Sequence, residues 1–137
     1  MTMDKKAANQ LNGASLAYVG DAVTEVYVRS YILSCGVTDT GRYNELAQMF
    51  VTAHAQSKAY SRIEPLLTDG ERDVLKRGRN AKLTHRPRNQ TQTDYRRATG
   101  FEALIGWLYL TGEGKRAEEL FKMAYIDIIE DIANKTL

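Results

Sequence analysis

Apolar residues recur at steps of three and four along most of the chain, the spacing that places them on one face of an α-helix. From Leu16 to Leu33 this period predicts a helix over about residues 14–34. Gly36 follows directly and is predicted to end that helix as a C-terminal cap. No stretch alternates between apolar and polar residues as a half-buried strand would, so the pattern predicts an all-α fold.

Cap-forming residues divide the middle of the chain into further predicted helices. Residues 38–40 offer caps for one helix, and a second helical stretch covers about residues 54–67 with an interruption at a proline. Thr68 and Glu71 have the Ser/Thr-x-x-Glu spacing of a capping box. They are predicted to begin a helix that ends at Gly78.

A long polar loop and two helices are predicted for the C-terminal part of the chain. The loop covers residues 79–93, and loops of this length tend to be functional or mobile. Thr93 or Asp94 is predicted to cap a helix that reaches Leu110. One last helix is expected to carry a single apolar stripe over residues 117–132.

Length and composition narrow the class of protein. A chain of 137 residues suits one domain, so residues 1–137 are predicted to form a single domain. No run of 18 apolar residues is present, which argues against a membrane-spanning helix, and the start of the chain lacks the apolar core of a secretory signal. Cys35 is the only cysteine, so no internal disulfide can form. A cytoplasmic location is therefore expected.

Two lone carboxylates stand inside apolar helical runs. Asp21 lies in the run from Leu16 to Val23, and Glu102 lies in the run that ends at Leu110. Burying a carboxylate is costly unless it is paired, hydrogen-bonded or bound to a metal. As an alternative to a shared site, each carboxylate could separately bind backbone amides or a buried arginine. Taken together they predict one acidic site where two helices cross, with the oxygen ligands that Mg²⁺ prefers.

The most basic stretch of the chain lies between these acids. Residues 75–97 hold eight Lys or Arg residues and one acidic residue, whereas the remainder holds 11 basic and 16 acidic residues. Such asymmetry indicates a polyanionic partner, the alternative being a solvated loop without one. Six basic side chains are suited to RNA phosphates, and the Asn80 amide is suited to 2′-hydroxyl groups or base edges. These predicted RNA-binding residues are Lys76, Arg77, Arg79, Asn80, Lys82, Arg86 and Arg88.

Both acidic runs resemble motifs of a known family. The sequence LAYVGDAV of Leu16–Val23 resembles the signature helix of the ribonuclease III endonuclease domain, L-E-F-L-G-D-[AS]-V. Thr99–Gly106 resembles its second acidic motif, D-x-x-E-A-L-I-G, and the order and spacing of the two motifs agree as well. Gly78–Lys82 resembles the Mini-III branch, whose members consist of the catalytic domain alone.

This resemblance implies an all-α homodimer with the ribonuclease III endonuclease-domain fold. Asp21 and Glu102 would be the catalytic residues and the ligands for Mg²⁺, with Mn²⁺ as a substitute. Each protomer would cut one strand of an RNA duplex and leave a 5′-phosphate on the product. Tyr18 stands where the family places an aromatic residue that enters the partner subunit, although a plain core role is the alternative. The implied substrate is a ribosomal RNA precursor, the 23S precursor first, with a ribosomal protein as a candidate accessory partner.

The chain also departs from the family pattern at two positions. Ala17 and Thr99 stand where the usual motifs carry a Glu and an Asp, a reduced set that the Mini-III branch shares. Glu25, one turn after Asp21, is a candidate replacement, and a surface or interface ion pair is the alternative role for it. The second reading is therefore a non-catalytic double-stranded-RNA-binding dimer that has lost its metal site. A helical DNA-binding module is disfavoured, because the basic residues lie in a long loop rather than on a short recognition helix.

Overall fold

The computed structural model describes residues 2–82 and 88–136, and over these residues the protein is helical without any strand. The predicted all-α class is confirmed. Two 3-10 turns, Thr40–Arg42 and Glu64–Leu66, flank the middle helices. The α-helices of the described part are α1 (Lys5–Asn9), α2 (Gly13–Ser34), α3 (Tyr43–Val51), α4 (Ala53–Ile63), α5 (Asp69–Arg79), α6 (Gln92–Leu110), α7 (Gly114–Ala124) and α8 (Ile126–Thr136).

Local capping chemistry accounts for several helix ends. The side chain of Asn12 accepts a hydrogen bond from the Ser15 amide at the start of α2. Gly36 follows α2 with a φ of 80°, a left-handed conformation that glycine adopts without strain, as predicted. The capping box of Thr68 and Glu71 is likewise confirmed, because each side chain binds the backbone amide of the other residue.

Two predicted boundaries are wrong, and one helix was not predicted. The short helix α1 was not expected, and α6 begins at Gln92 because Thr91 rather than Thr93 or Asp94 caps it. The single last helix is two helices, α7 and α8, separated at Tyr125. Tyr125 is buried and its hydroxyl donates to the Phe50 carbonyl oxygen at 3.0 Å, so tertiary packing of this side chain replaces the helical continuation.

Helices α2 and α6 cross in direct backbone contact at the centre of the fold. A Cβ atom at Gly20 would overlap the carbonyl oxygen of Glu102, and one at Gly106 would overlap the carbonyl oxygen of Leu16. These paired contacts run in opposite directions along the chain, so the two helices are antiparallel. The predicted crossing of the two helices therefore exists, and their close approach fixes their relative position.

The core surrounds α6 on several sides. Phe101, Leu104 and Leu108 of this helix are fully buried against α2, α4 and α5. By contrast, Val26 and Leu33, which contribute to the apolar period of α2, are 60% and 59% exposed. Helix α2 thus has an apolar face outside the core. Among the residues that the structure describes, no helix is long and apolar enough to cross a lipid bilayer.

Candidate active site

The crossing of α2 and α6 brings the two lone carboxylates together. Asp21 follows Gly20 on α2, and the backbone of Gly20 touches that of Glu102 on α6. The Asp21 side chain is exposed, whereas Glu102 is half-buried and lies within interaction range of it. One of the two acids therefore faces solvent and the other faces the interior of the same small site.

Burial and the neighbouring carboxylate change the acidity of Glu102. Loss of solvation, followed by the interaction with Asp21, raises the pKa of Glu102 to about 9. A carboxyl group with this pKa keeps its proton at neutral pH unless a positive charge enters the site. Perturbed acids of this kind cluster at functional sites, which supports the interpretation of this pair as an active site.

Gln56 of α4 is a third member of the site that the sequence did not reveal. Its side chain is buried, with 4% exposure, and its amide lies close enough to Glu102 to favour the ionised carboxylate, which lowers the pKa of that carboxyl group. Tyr125 is also near, since burial and then the charge of Glu102 raise the pKa of Tyr125. Gln56 stands among polar residues in the sequence, so no local signal marked it as buried.

The donor set fits a divalent cation that prefers oxygen ligands. Asp21 and Glu102 supply carboxylate oxygens, Gln56 stabilises the ionised form of Glu102, and a cation would offset the repulsion between the two acids. Within residues 2–82 and 88–136, however, no group of three or more His, Cys, Asp or Glu side chains could hold a metal. A bound ion would therefore depend on two protein carboxylates, with water or substrate oxygens completing its shell.

The positions that lack the family carboxylates are filled by other contacts. Ala17 is buried in the core, and the Thr99 hydroxyl donates to the Tyr95 carbonyl oxygen at 2.9 Å. Glu25 forms an ion pair with Arg29 at 3.4 Å on the same helix. This ion pair gives Glu25 a partner other than the acidic site.

Four of the predicted RNA-binding residues, Lys76, Arg77, Arg79 and Asn80, lie in the last turn of α5 or at its C-terminal cap. Arg79 belongs to this helix rather than to the loop, and its guanidinium donates to the Tyr60 hydroxyl at 2.9 Å. Arg77 donates to the Leu11 carbonyl oxygen and so helps to hold α5 against the chain before α2. The remaining members are exposed or lie outside the described residues: Lys76, Asn80, Lys82 and Arg88 are exposed, and Arg86 lies in the segment that the structure does not describe.

Tyr18 lies on the outward face of α2, with 82% of its surface exposed, so its alternative core role is excluded. Val26 of the same helix and Tyr109 of α6 are exposed beside it. These residues line a shallow groove that also includes Asp21 and Glu25. The exposed apolar face therefore adjoins the acidic pair.

Comparisons with known proteins agree with this geometry. The family model described as ribonuclease III domain matches residues 14–113. The chain is 45% identical to a Mini-ribonuclease 3 from Enterococcus faecalis over 81% of this chain and 86% of that protein. It is 41% identical to a Mini-ribonuclease 3 from Clostridium tetani over 93% of this chain and 84% of that protein.

A solved structure has the same fold. The crystal structure of a Fusobacterium nucleatum protein superimposes with a TM-score of 0.78 and 28% sequence identity, covering 88% of this chain and 92% of that one. The residues that the family model matches include Asp21 and Glu102, and the two Mini-ribonuclease 3 relatives are similar to this chain over most of their length. The chain belongs to the ribonuclease III family, in its Mini-ribonuclease 3 branch.

Proposed function

We propose that the protein is a divalent-metal-dependent endoribonuclease that cleaves double-stranded or structured RNA. The single observation that carries this proposal is the meeting of Asp21 and Glu102 at the α2–α6 crossing. The basic end of α5 lies against the same helix, since Gly78 contacts the backbone of Gly100. An acidic site for a cation beside basic residues for phosphates is the arrangement that metal-assisted phosphodiester hydrolysis requires.

Asp21 and Glu102 would hold Mg²⁺, or Mn²⁺ in its place. When bound, such an ion supplies Lewis-acid polarisation of the scissile phosphate and a more acidic water. Asp21 is exposed and therefore accessible to the substrate side. Glu102 gives up its carboxyl proton to act as a ligand, and Gln56 favours that ionised form. Gln56 is thus a positioning residue for Glu102.

The protein would act as a homodimer with Tyr18 at the interface. The exposed apolar face of α2 is suited to burial against a second copy, because contiguous exposed apolar residues mark interaction surfaces. A two-fold dimer places two acidic sites opposite the two strands of a duplex, so that each protomer cuts one strand. Tyr18→Ser is expected to shift the protein towards monomer in sedimentation, while Leu66→Ser, at an exposed apolar residue of the turn Glu64–Leu66, is not.

The natural substrate is proposed to be a ribosomal RNA precursor, with the 23S precursor as the first candidate. Processing is proposed to take place in the cytoplasm, with a ribosomal protein as a candidate accessory partner. The family resemblance supports this assignment. The relatives' name, Mini-ribonuclease 3, supports ribonuclease activity. The proposed 5′-phosphate product follows from the same resemblance.

Cleavage of a long RNA duplex by the native protein tests the proposal. The protein is expected to cut the duplex with Mg²⁺ or Mn²⁺, to stop when a chelator is added, and to leave a DNA duplex of the same sequence intact. Cutting that persists with the chelator would contradict the metal-dependent site. Cutting of DNA as readily as RNA would contradict the substrate class.

The second candidate function is RNA binding without cleavage. The positions of Ala17 and Thr99 favour it, because neither side chain adds a carboxylate to the pair at the crossing. Under this alternative the native protein binds duplex RNA and leaves it uncut with either metal. The same cleavage experiment therefore separates the two candidates.

A further inference from the structure

A polar cleft lies between α4 and the N-terminal half of α6, outside the acidic pair. Its volume is about 510 Å³. Ser57, at its base, is buried. The ionisable and hydroxyl side chains that line the cleft elsewhere are His54, Lys58, Ser61, Arg62, Asp94 and Arg97.

The cleft carries positive charge that no acid neutralises. Arg62 forms an ion pair with Asp127, and His54 lies 3.6 Å from Asp94. Lys58 and Arg97, in contrast, form no ion pair with any acidic side chain of the described residues. Two cations on adjacent helices therefore remain available for an anionic ligand.

Arg97 is held in place before any ligand arrives. Its guanidinium lies 5.8 Å from the centre of the Tyr60 ring and 3.5 Å from the Ser61 hydroxyl oxygen. Tyr60 is buried, and its hydroxyl accepts the hydrogen bond from Arg79. One buried tyrosine thus fixes an arginine from α5 and another from α6, which joins the cleft to the basic end of α5.

We propose that Lys58 and Arg97 bind the phosphate backbone of the RNA duplex, as a contact surface separate from the basic end of α5. This inference rests on the proposed function and names a further part of its substrate site. Arg97 precedes Glu102 by five residues, or about 7.5 Å along the axis of α6. The Arg97 end of the cleft therefore lies about one and a half helical turns from Glu102 along α6, and the two cations remain outside the acidic pair.

The test measures binding and cleavage of a long RNA duplex by Lys58→Gln, Arg97→Gln and the double variant. With a chelator present, each single variant is expected to reduce the slope of log affinity against log salt by about 1, and the double variant by about 2. With Mg²⁺, these variants should raise KM and leave kcat unchanged, because they remove charge outside the acidic pair. The control, Lys115→Gln with Lys122→Gln, removes two exposed charges from α7 that do not line the cleft.

The outcomes separate this inference from the proposed function. If the native protein binds and cuts the duplex and the double variant has the same salt slope and KM, the inference is wrong and the proposed function stands. If the control lowers the slope as much as the double variant, the effect is one of net charge and the inference is again wrong. If the native protein binds no duplex RNA, the proposed function fails and the inference fails with it. Lys58 is exposed, so Lys58→Gln is expected to keep the native unfolding temperature.

Discussion

Replacing Glu102 by Gln is expected to stabilise the metal-free protein while removing its activity. Burial and Asp21 raise the pKa of Glu102 from 4.5 to about 9. Between these two values the unfolded chain releases a proton that the native state retains. Because the unfolded state then binds fewer protons, native stability falls as the pH rises from 4.5 towards 9. A neutral glutamine of nearly the same shape is free of this effect.

The magnitude follows from the distance between the pH and the ordinary pKa. At pH 7 the carboxyl group is 2.5 pH units above its ordinary pKa of 4.5 and still below its native one. One pKa unit corresponds to about 1.4 kcal/mol, so Glu102 should lower the free energy of unfolding by about 3 kcal/mol at pH 7. Below pH 4.5 the group is protonated in both states, and the difference should vanish.

Urea unfolding of the native protein and Glu102→Gln, with a chelator and at several pH values, measures this difference. The variant is expected to be more stable at pH 7, by an amount that grows with pH up to about 9. Glu130→Gln makes the same chemical change at an exposed position and should alter stability little. A difference that is absent, or that does not change with pH, would refute the argument that burial and Asp21 oppose ionisation of Glu102.

Three further variants test other parts of the structure. Gly20→Ala is expected to abolish folding or separate α2 from α6, because its Cβ would overlap the Glu102 carbonyl oxygen. A Gly20→Ala protein with the native circular dichroism spectrum and native activity would contradict this. Gln56→Leu is expected to raise the pKa of Glu102 further and so move the pH–rate profile to higher pH; an unmoved profile would remove its positioning role. Arg116→Met is expected to cost about 3 kcal/mol at pH 7, because it leaves Glu71 buried without its partner. Since the Arg116 guanidinium lowers the pKa of Glu71 from its ordinary value of 4.5, that cost should shrink as the pH falls below 4.5. Urea unfolding at pH 7 and at a series of lower pH values checks it.

Local patterns were sufficient to predict much of the helical structure. The period from Leu16 to Leu33 with Gly36 beyond it predicted α2, and the capping box predicted the start of α5. These signals act within a few residues of one another, so the sequence contains them directly. The division of the last helix at Tyr125 could not be predicted in this way, because it depends on a contact with Phe50 on another helix.

The candidate site was predictable in its acids and not in its surroundings. Asp21 and Glu102 stand out as charges in apolar runs, and the cost of burying each alone indicated that their helices meet. Gln56 and Lys58 stand two residues apart on α4 in a polar stretch, yet Gln56 is buried against Glu102 and Lys58 is exposed in the cleft. Only the packing of α4 against α6 distinguishes their environments. The exposure of Tyr18 likewise depends on which face of α2 the neighbouring helices leave uncovered.

The catalytic role of the acidic pair is tested by comparing the native protein with Asp21→Asn on a long RNA duplex in Mg²⁺. The substitution keeps the size and exposure of the side chain and removes its charge from the acidic pair. If Asp21 is a ligand in the active site, the native protein cuts the duplex, while Asp21→Asn binds it with similar affinity and leaves it intact. Cutting by Asp21→Asn at the native rate would contradict the assignment of this pair as the active site.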